Sequence, residues 1–375
     1  MSGDTSMSLY REGNDMSTAF RLAEIPPQQR AKIMVVANRK GGVGKTTLVS
    51  FIAEAIALWA GKKVLIVDTD KQCNLGAAYG VIENRSQDVA HSFAGQAMRG
   101  IQEPIIHPEY YDEDGEPGMF AVRSSSAEIM KENGQDICPY GTYIQPDSPH
   151  LGKLNPMNGM LDIIPGHSEE LNYLHTHADK YPARKLYEKW ESWLIDYGVV
   201  EGYDLIIFDT PPLDAELNEA LFQLADHVVI PVQPAKDTLS ACNTITMSCI
   251  AANMADNRIH QVTTLINPLN SGNLTQKEQT LLDPIYNYAA FGTLPKGVMF
   301  PRSRIIQERR DIEVPAYLDP ESFESLNKEE KKRAKPPMSS LIWGKKSDPA
   351  RQKLFTVVNE LHNRFFGEPL PLQKD

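Results

Sequence analysis

Lys40-Gly41-Gly42-Val43-Gly44-Lys45-Thr46-Thr47 follows an apolar run, Ile33-Met34-Val35-Val36-Ala37, and opens a helical pattern from Thr46 to Ala60. A buried strand, a glycine-rich turn and a helix beginning Gly-Lys-Thr make a phosphate cradle. The glycines let successive backbone N–H groups turn toward one phosphate, and the helix adds the positive end of its dipole. Lys45 supplies a compact charge to the β- and γ-phosphates, and the Thr46 hydroxyl suits Mg2+. The expected nucleotide-binding residues are therefore Gly41, Gly42, Val43, Gly44, Lys45, Thr46 and Thr47, with ATP and Mg2+ as the expected ligands.

Composition bounds what surrounds this turn. A chain of 375 residues with 41% hydrophobic content can bury one large α/β core or two ordinary ones. The net charge of −11 excludes a global basic signature, so any DNA binding has to come from a local patch. Cys73, Cys138, Cys242 and Cys249 have neither CxxC nor zinc spacing and read as reduced thiols. Cys242 and Cys249 lie seven apart and share a helix face, a spacing that core packing also produces. No run approaches the roughly 18 apolar residues of a membrane span, and the N-terminus shows no apolar signal core. A cytoplasmic chain without stable membrane insertion is expected.

Two further apolar runs end in carboxylates. Val64-Leu65-Ile66-Val67 runs into Asp68-Thr69-Asp70-Lys71-Gln72-Cys73-Asn74-Leu75, and Leu205-Ile206-Ile207-Phe208 runs into Asp209-Thr210-Pro211-Pro212. Both read as buried parallel strands. In an open α/β sheet the ligand lies at the carboxyl ends of the strands, so these aspartates belong beside the phosphate turn. Such carboxylates suit a Mg2+ shell and the positioning of water. The fold expected is α/β: a doubly wound, mostly parallel sheet flanked by helices.

The additional lysine at position 40 makes the motif resemble the deviant Walker A sequence of the ParA/MinD family of P-loop ATPases. The resemblance covers residues 32 to about 82 and 160 to about 312, with five motifs in order, and is closer to ParA-type partition ATPases. It implies that Lys40 reaches across an ATP-sandwich homodimer to the other subunit's nucleotide; a solvated loop lysine is the competing reading. It implies catalytic roles for Lys40, Lys45 and Asp70, the last orienting the attacking water. Thr46, Asp68 and Asp209 become the metal-site residues, with Asp209 in a Walker B strand whose Asp-Thr-Pro-Pro continuation opens a switch loop. Asn267 and Pro301 are implied as further nucleotide-binding residues, Asn267 near the adenine, with a turn-capping asparagine as the competing reading, and Pro301 in an element preceding the last helices. Around it, Lys296, Arg302, Arg304, Arg309 and Arg310 form a local basic stretch that would contact DNA phosphates without base readout. A ParB-like or other adaptor that stimulates hydrolysis is implied as a partner. This sequence departs from the family pattern at Lys71, where proline is usual, and at Cys73, where glycine is usual, which puts the geometry of that switch in question. A MinD-like regulator acting on a membrane or scaffold is the alternative reading. A reductase of the nitrogenase iron-protein type would need a cysteine cluster that the spacing does not supply.

Outside these motifs the pattern is weaker. Residues 1–30 read as a flexible or lightly docked arm, and residues 31–375 as a single ATPase domain. Within it, residues 83–158 carry twelve acidic against five basic residues without sustained periodicity, and read as an acidic insertion. His167 reads as a loop residue or a switch contact. Residues 182–197 read as an amphipathic helix with Leu186, Trp190, Trp193 and Leu194 inward. Lysines between 328 and 346 read as a solubilising loop or an added DNA contact. In the C-terminal extension, about 313–375, Pro349 to Phe366 reads as a closing helix that packs on the core.

Overall fold

The computed structural model describes residues 21–79, 125–131, 137, 139–142, 144–146, 155–212, 215–252, 254, 258–264, 274–287, 294–295, 297–301 and 347–371. In chain order the elements are α1 (Arg21–Glu24), β1 (Lys32–Val36), α2 (Lys45–Ala60), β2 (Lys63–Asp68), α3 (Asn74–Ala78), α4 (Ser126–Lys131), β3 (Tyr140–Gly141) and β4 (Met160–Ile164). Then follow α5 (Ser168–Thr176), α6 (Ala183–Asp196), α7 (Val199–Gly202), β5 (Leu205–Asp209), α8 (Ala215–Leu224), β6 (His227–Val232), α9 (Thr238–Ala251), β7 (Ile259–Thr264), α10 (Gln276–Asn287), β8 (Met299–Phe300) and α11 (Pro349–Phe366).

The strands form one sheet in the order β3-β4-β2-β5-β1-β6-β7-β8. Every neighbouring pair is parallel except β3 with β4. This is the doubly wound sheet the apolar runs imply, with β1 held between β5 and β6. Alternation within β1 divides the core into two layers, as a period of two requires. Ile33 and Val35 join α6, α8 and α9 on one face, while Met34 and Val36 join α2 and α11 on the other. Because both faces are covered, β1, β2, β5 and β6 are apolar between their ends.

The helices follow their periodicity. Leu186, Trp190, Trp193 and Leu194 of α6 are buried, and Trp190 meets Phe208 of β5 edge-on at 5.1 Å. Leu354, Val357, Val358, Leu361 and Phe365 of α11 are buried over the opposite layer, and Asp348 caps that helix by accepting from Ala350 N–H. Cys242 and Cys249 are buried in α9, which makes them core side chains. Among the described residues no helix is long and apolar enough to cross a membrane.

Two stretches hold more order than their sequence shows. Leu22 of α1 is buried, and its N–H donates to the Glu191 carboxylate of α6 while Arg21 pairs with Asp196. Ahead of β1, Arg30 grips Asp226 through both guanidinium nitrogens, at 2.6 and 2.8 Å. Within residues 83–158, α4 inserts Ala127, Ile129 and Met130 into the core, and β3 pairs antiparallel along β4. Much of the acidic stretch, including Asp112, Glu113 and Asp114, lies outside the described residues.

At the amino ends of β6 and β7, His227 and His260 share a hydrogen bond of 3.0 Å, and His227 packs at a tilt against Phe365 of α11. Burial lowers both pKa values, His227 to about 4 and His260 to about 2, with Lys32 and Arg258 adding repulsion at His227 and Arg364 at His260. A histidine kept neutral in the folded chain but free to protonate when unfolded costs nothing above pH 6.5. As pH falls from there toward 4 the unfolded state gains protons that the folded state does not, so stability drops. From His227 alone the loss is on the order of 3 kcal/mol across that window. Urea midpoints between pH 7 and 4.5 should therefore fall more steeply for wild type than for His227→Gln/His260→Gln, and parallel slopes would refute this.

Candidate functional site

The phosphate turn is drawn tight by the residues around it. Gly42 (φ 71°) and Gly44 (φ 89°) occupy the left-handed region, where a side chain is strained, and Leu48 N–H closes the first helical bond on Gly44 O at 2.8 Å. Asn38 fixes the start of the loop: its side-chain amide donates to Pro231 O at 2.7 Å, and its Oδ1 accepts from Lys40 N–H at 2.8 Å. Thr264 Oγ1 donates to Val43 O at 3.1 Å and Gln233 Nε2 to Gly42 O at 3.2 Å, so β6 and β7 both anchor the loop.

Lys45 lies in the first turn of α2 and is 6% exposed. Burial lowers its pKa, while Asp209 and Asp70 act in the opposite direction. Those two carboxylates and Asp68 meet at the same edge of the sheet, because β2 and β5 run in register with Asp68 opposite Asp209. Their surroundings differ. Asp68 is fully buried, but its oxygens accept from the N–H groups of Asp70, Leu75 and Gly76 at 3.1, 3.0 and 3.0 Å. It thereby holds the turn into α3. Asp70 is 8% exposed and accepts from Gln72 N–H at 3.0 Å through one oxygen.

Asp209 is the exception. Burial pushes its carboxyl up to about 7 against the pull of the Thr46 hydroxyl and the Lys45 ammonium. Yet neither of its oxygens receives a hydrogen bond of ordinary distance and angle from a donor among the described residues. A buried carboxylate left bare in this way is costly unless a cation faces it. The Thr46 hydroxyl beside two unclaimed anionic oxygens is a hard oxygen donor set, and it fits Mg2+.

Lys40 is half-buried, and its ammonium pairs with Asp237 Oδ1 at 2.9 Å. Asp237 has no local sequence signal, since 197 positions separate the partners. Asn38 was equally unmarked, although an amide at a strand end before a glycine-rich turn is a usable cue. His167 caps α5, its Nδ1 accepting from Glu170 N–H. Pro301 is buried just after β8, whose Phe300 pairs with Thr264 and meets Phe51 of α2 edge-on at 5.2 Å. Asn267, Lys296, Arg302, Arg304, Arg309 and Arg310 lie outside the described residues.

The two departures from the family pattern have visible consequences. Cys73 adopts φ 48°, the left-handed backbone that glycine tolerates and other residues pay about 1 to 2 kcal/mol to enter. Lys71 turns outward, its ammonium 3.5 Å from Asn172 Oδ1. A cavity of about 150 Å3 beside it is lined by Thr69, Lys71, Leu171, Tyr181, Pro211 and Leu217. The Asp68–Asn74 and Asp209–Pro212 loops therefore share an apolar seam.

Comparison with known proteins agrees with this geometry. A family model described as an AAA domain matches residues 31–137. The chain is 41% identical over 78 residues to the chromosome-partitioning ATPase Soj of Thermus thermophilus, covering 20% of this chain and 30% of that one. It is 40% identical over 144 residues to the chromosome partitioning protein ParA of Caulobacter vibrioides, covering 34% of this chain and 52% of that one. The chain thus spans about half or less of the length of these two relatives. Its fold is similar to that of pNOB8 ParA solved bound to nonspecific DNA, with a TM-score of 0.50 and 16% identity over 89% of this chain and 99% of that one.

The crowding at Cys73 is testable. A Cβ built on Gly166 would come within 2.9 Å of both Cys73 Sγ and Leu171 Cδ1. Gly166→Ala should therefore cost about 1 kcal/mol, and Cys73→Gly in the same chain should recover much of that. Additive denaturant midpoints in the double variant would contradict the packing.

Proposed function

We propose that this chain is a P-loop ATPase of the ParA/MinD type, as its likeness to Soj and ParA relatives supports, and that it uses ATP and Mg2+ to close two copies into a dimer. That dimer binds DNA without sequence preference and positions a large cargo, and an adaptor protein resets it by stimulating hydrolysis. The observation that carries the reading is the bare, buried Asp209 carboxylate beside Lys45 and Thr46, with a second lysine, Lys40, at the mouth of the same loop.

The turn's N–H groups and Lys45 would hold the β- and γ-phosphates, while Thr46 and Asp209 would hold Mg2+, with Asp68 bracing the neighbouring turn. The metal's contribution is to neutralise phosphate charge. Asp70 keeps one carboxylate oxygen outside its Gln72 hydrogen bond and would orient the attacking water. Lys40 would leave Asp237 and serve the nucleotide of the second copy, a cation on developing phosphate charge. Because its pairing with Asp237 is exposed, that departure is cheap.

Support for DNA as the surface bound comes from the pNOB8 ParA likeness and from the basic stretch around Arg302 and Arg310. The apolar face of α11 is spent inside the core, which leaves it no face for a membrane. The test is binding to unrelated DNA fragments at one fixed salt concentration with ATP, ADP or no nucleotide. Binding should require ATP, persist in Asp70→Ala and fall at least tenfold in Lys40→Ala and Lys45→Ala. ATP-driven dimers that ignore DNA would refute the DNA-binding reading.

A further inference from the structure

The cavity beside Lys71 lies apart from the phosphate turn and has walls of its own. Its volume is about 150 Å3, and Met130, Leu171, Leu174, Leu186 and Leu217 bring α4, α5, α6 and α8 together around it. All five side chains are buried in the same apolar layer. An apolar gap of this size stays dry and accepts a molecule with one ring, because its lining atoms lack partners on the open side. It reaches the surface beside His175 and Ala178, both exposed. Two of its walls belong to this chain rather than to the family pattern. Lys71 stands where proline is usual, and Met130 comes from residues 83–158, which the resemblance does not cover.

The polar groups of the wall decide what the occupant carries. Thr69 has spent both its donors, N–H and hydroxyl, on Asp209 O at 3.0 and 2.7 Å. Glu216 serves the start of α6, where its Oε2 accepts from Ala183 N–H at 2.7 Å, so the positive helix end offsets its charge. Lys71 is different. It is half-buried, and among the described residues its ammonium makes one contact, at 3.5 Å to Asn172 Oδ1, the outer limit of a hydrogen bond. An ammonium so weakly held beside an apolar gap suits one negative charge, which it would meet in a stronger, charge-assisted hydrogen bond. A space that takes one ring is too small for a peptide segment, and a protein partner would need roughly 800 Å2 of surface. The fit is to a free small molecule.

We propose that this cavity binds a small monocarboxylate with one ring or a branched chain, its apolar body among the leucines and its carboxylate on Lys71. The occupant touches Thr69 and Pro211, one from each of the loops that carry Asp70 and Asp209. It therefore bridges the two loops, and it and ATP change each other's affinity by the same factor. Neither dimerisation nor DNA enters the inference, which rests on the nucleotide reading for this linkage alone.

The experiment is titration of phenylacetate into the full chain, followed by leucine-methyl NMR and thermal melting. Wild type should bind it saturably, with shifts centred on Leu171, Leu174 and Leu217 and a raised melting temperature. Lys71→Ala should weaken phenylacetate at least fivefold yet hold toluene, the same ring without the charge, within twofold of wild type. Ala178→Trp, a substitution at an exposed position that closes the mouth, should abolish both, and melting without probe checks that each variant is folded. Saturating phenylacetate should change the affinity for ATP at least threefold. No saturable binding, shifts centred elsewhere, or equal phenylacetate affinity in Lys71→Ala overturns the proposal. So does binding lost in Lys45→Ala but kept in Lys71→Ala, which would put the carboxylate on the phosphate turn. An ATP affinity unmoved by bound phenylacetate overturns the linkage. A chain that binds phenylacetate but no ATP upholds the cavity site and overturns the nucleotide reading together with the linkage.

Discussion

Negative charge gathered at the carboxyl edge of an open parallel sheet is the constraint on which the rest of this structure depends. Register places Asp68 and Asp209 side by side on β2 and β5, with Asp70 two residues beyond, where burial raises the Asp68 and Asp209 pKa values. The chain offsets that burden unevenly. Asp68 receives three backbone N–H groups and becomes part of the scaffold. Asp209 receives none of ordinary geometry among the described residues, and the cation that acts on it, Lys45, is itself buried. The difference separates a carboxylate that builds a turn from one left available to a metal.

Holding that edge together takes polar contacts between strand ends. Thr69 donates through its N–H and its hydroxyl to Asp209 O, Thr210 reaches Val36 O, and Thr264 reaches Val43 O. These short bonds link the loops after β1, β2, β5 and β7, so that displacement of one loop is felt by the others. Beneath them lie the two buried apolar layers. The apolar cavity between Thr69 and Pro211 is a gap in that packing, and it lies between the two loops that a phosphate would bias.

The motifs readable in the sequence are those whose parts are contiguous. The phosphate turn, the aspartates ending β2 and β5 and the inward faces of α6 and α11 each sit within one short window, where period and strand-end position are sufficient. Contacts spanning long separations were not legible. The pairing of Lys40 with Asp237 and the docking of α1 on Glu191 leave no local mark. Asp68 shows a different limit, for the three backbone N–H groups that converge on its carboxylate leave no mark in the sequence. The α4 and β3 elements leave no sequence signal, because a six-residue helix and a two-residue strand are too short to express a period. At Cys73 the expectation of altered geometry meets a specific answer, a glycine conformation kept by a residue that pays for it in strain.

The most direct test of the central claim is calorimetric titration of ATP into wild type, Asp209→Ala and Asp68→Ala, with and without Mg2+. The account predicts that Mg2+ strengthens ATP binding to wild type and that Asp209→Ala loses the Mg2+-dependent part. It also predicts that Asp68→Ala acts chiefly by lowering the melting temperature. An undiminished Mg2+ effect in Asp209→Ala would contradict it, because the bare carboxylate would then not be the metal's partner.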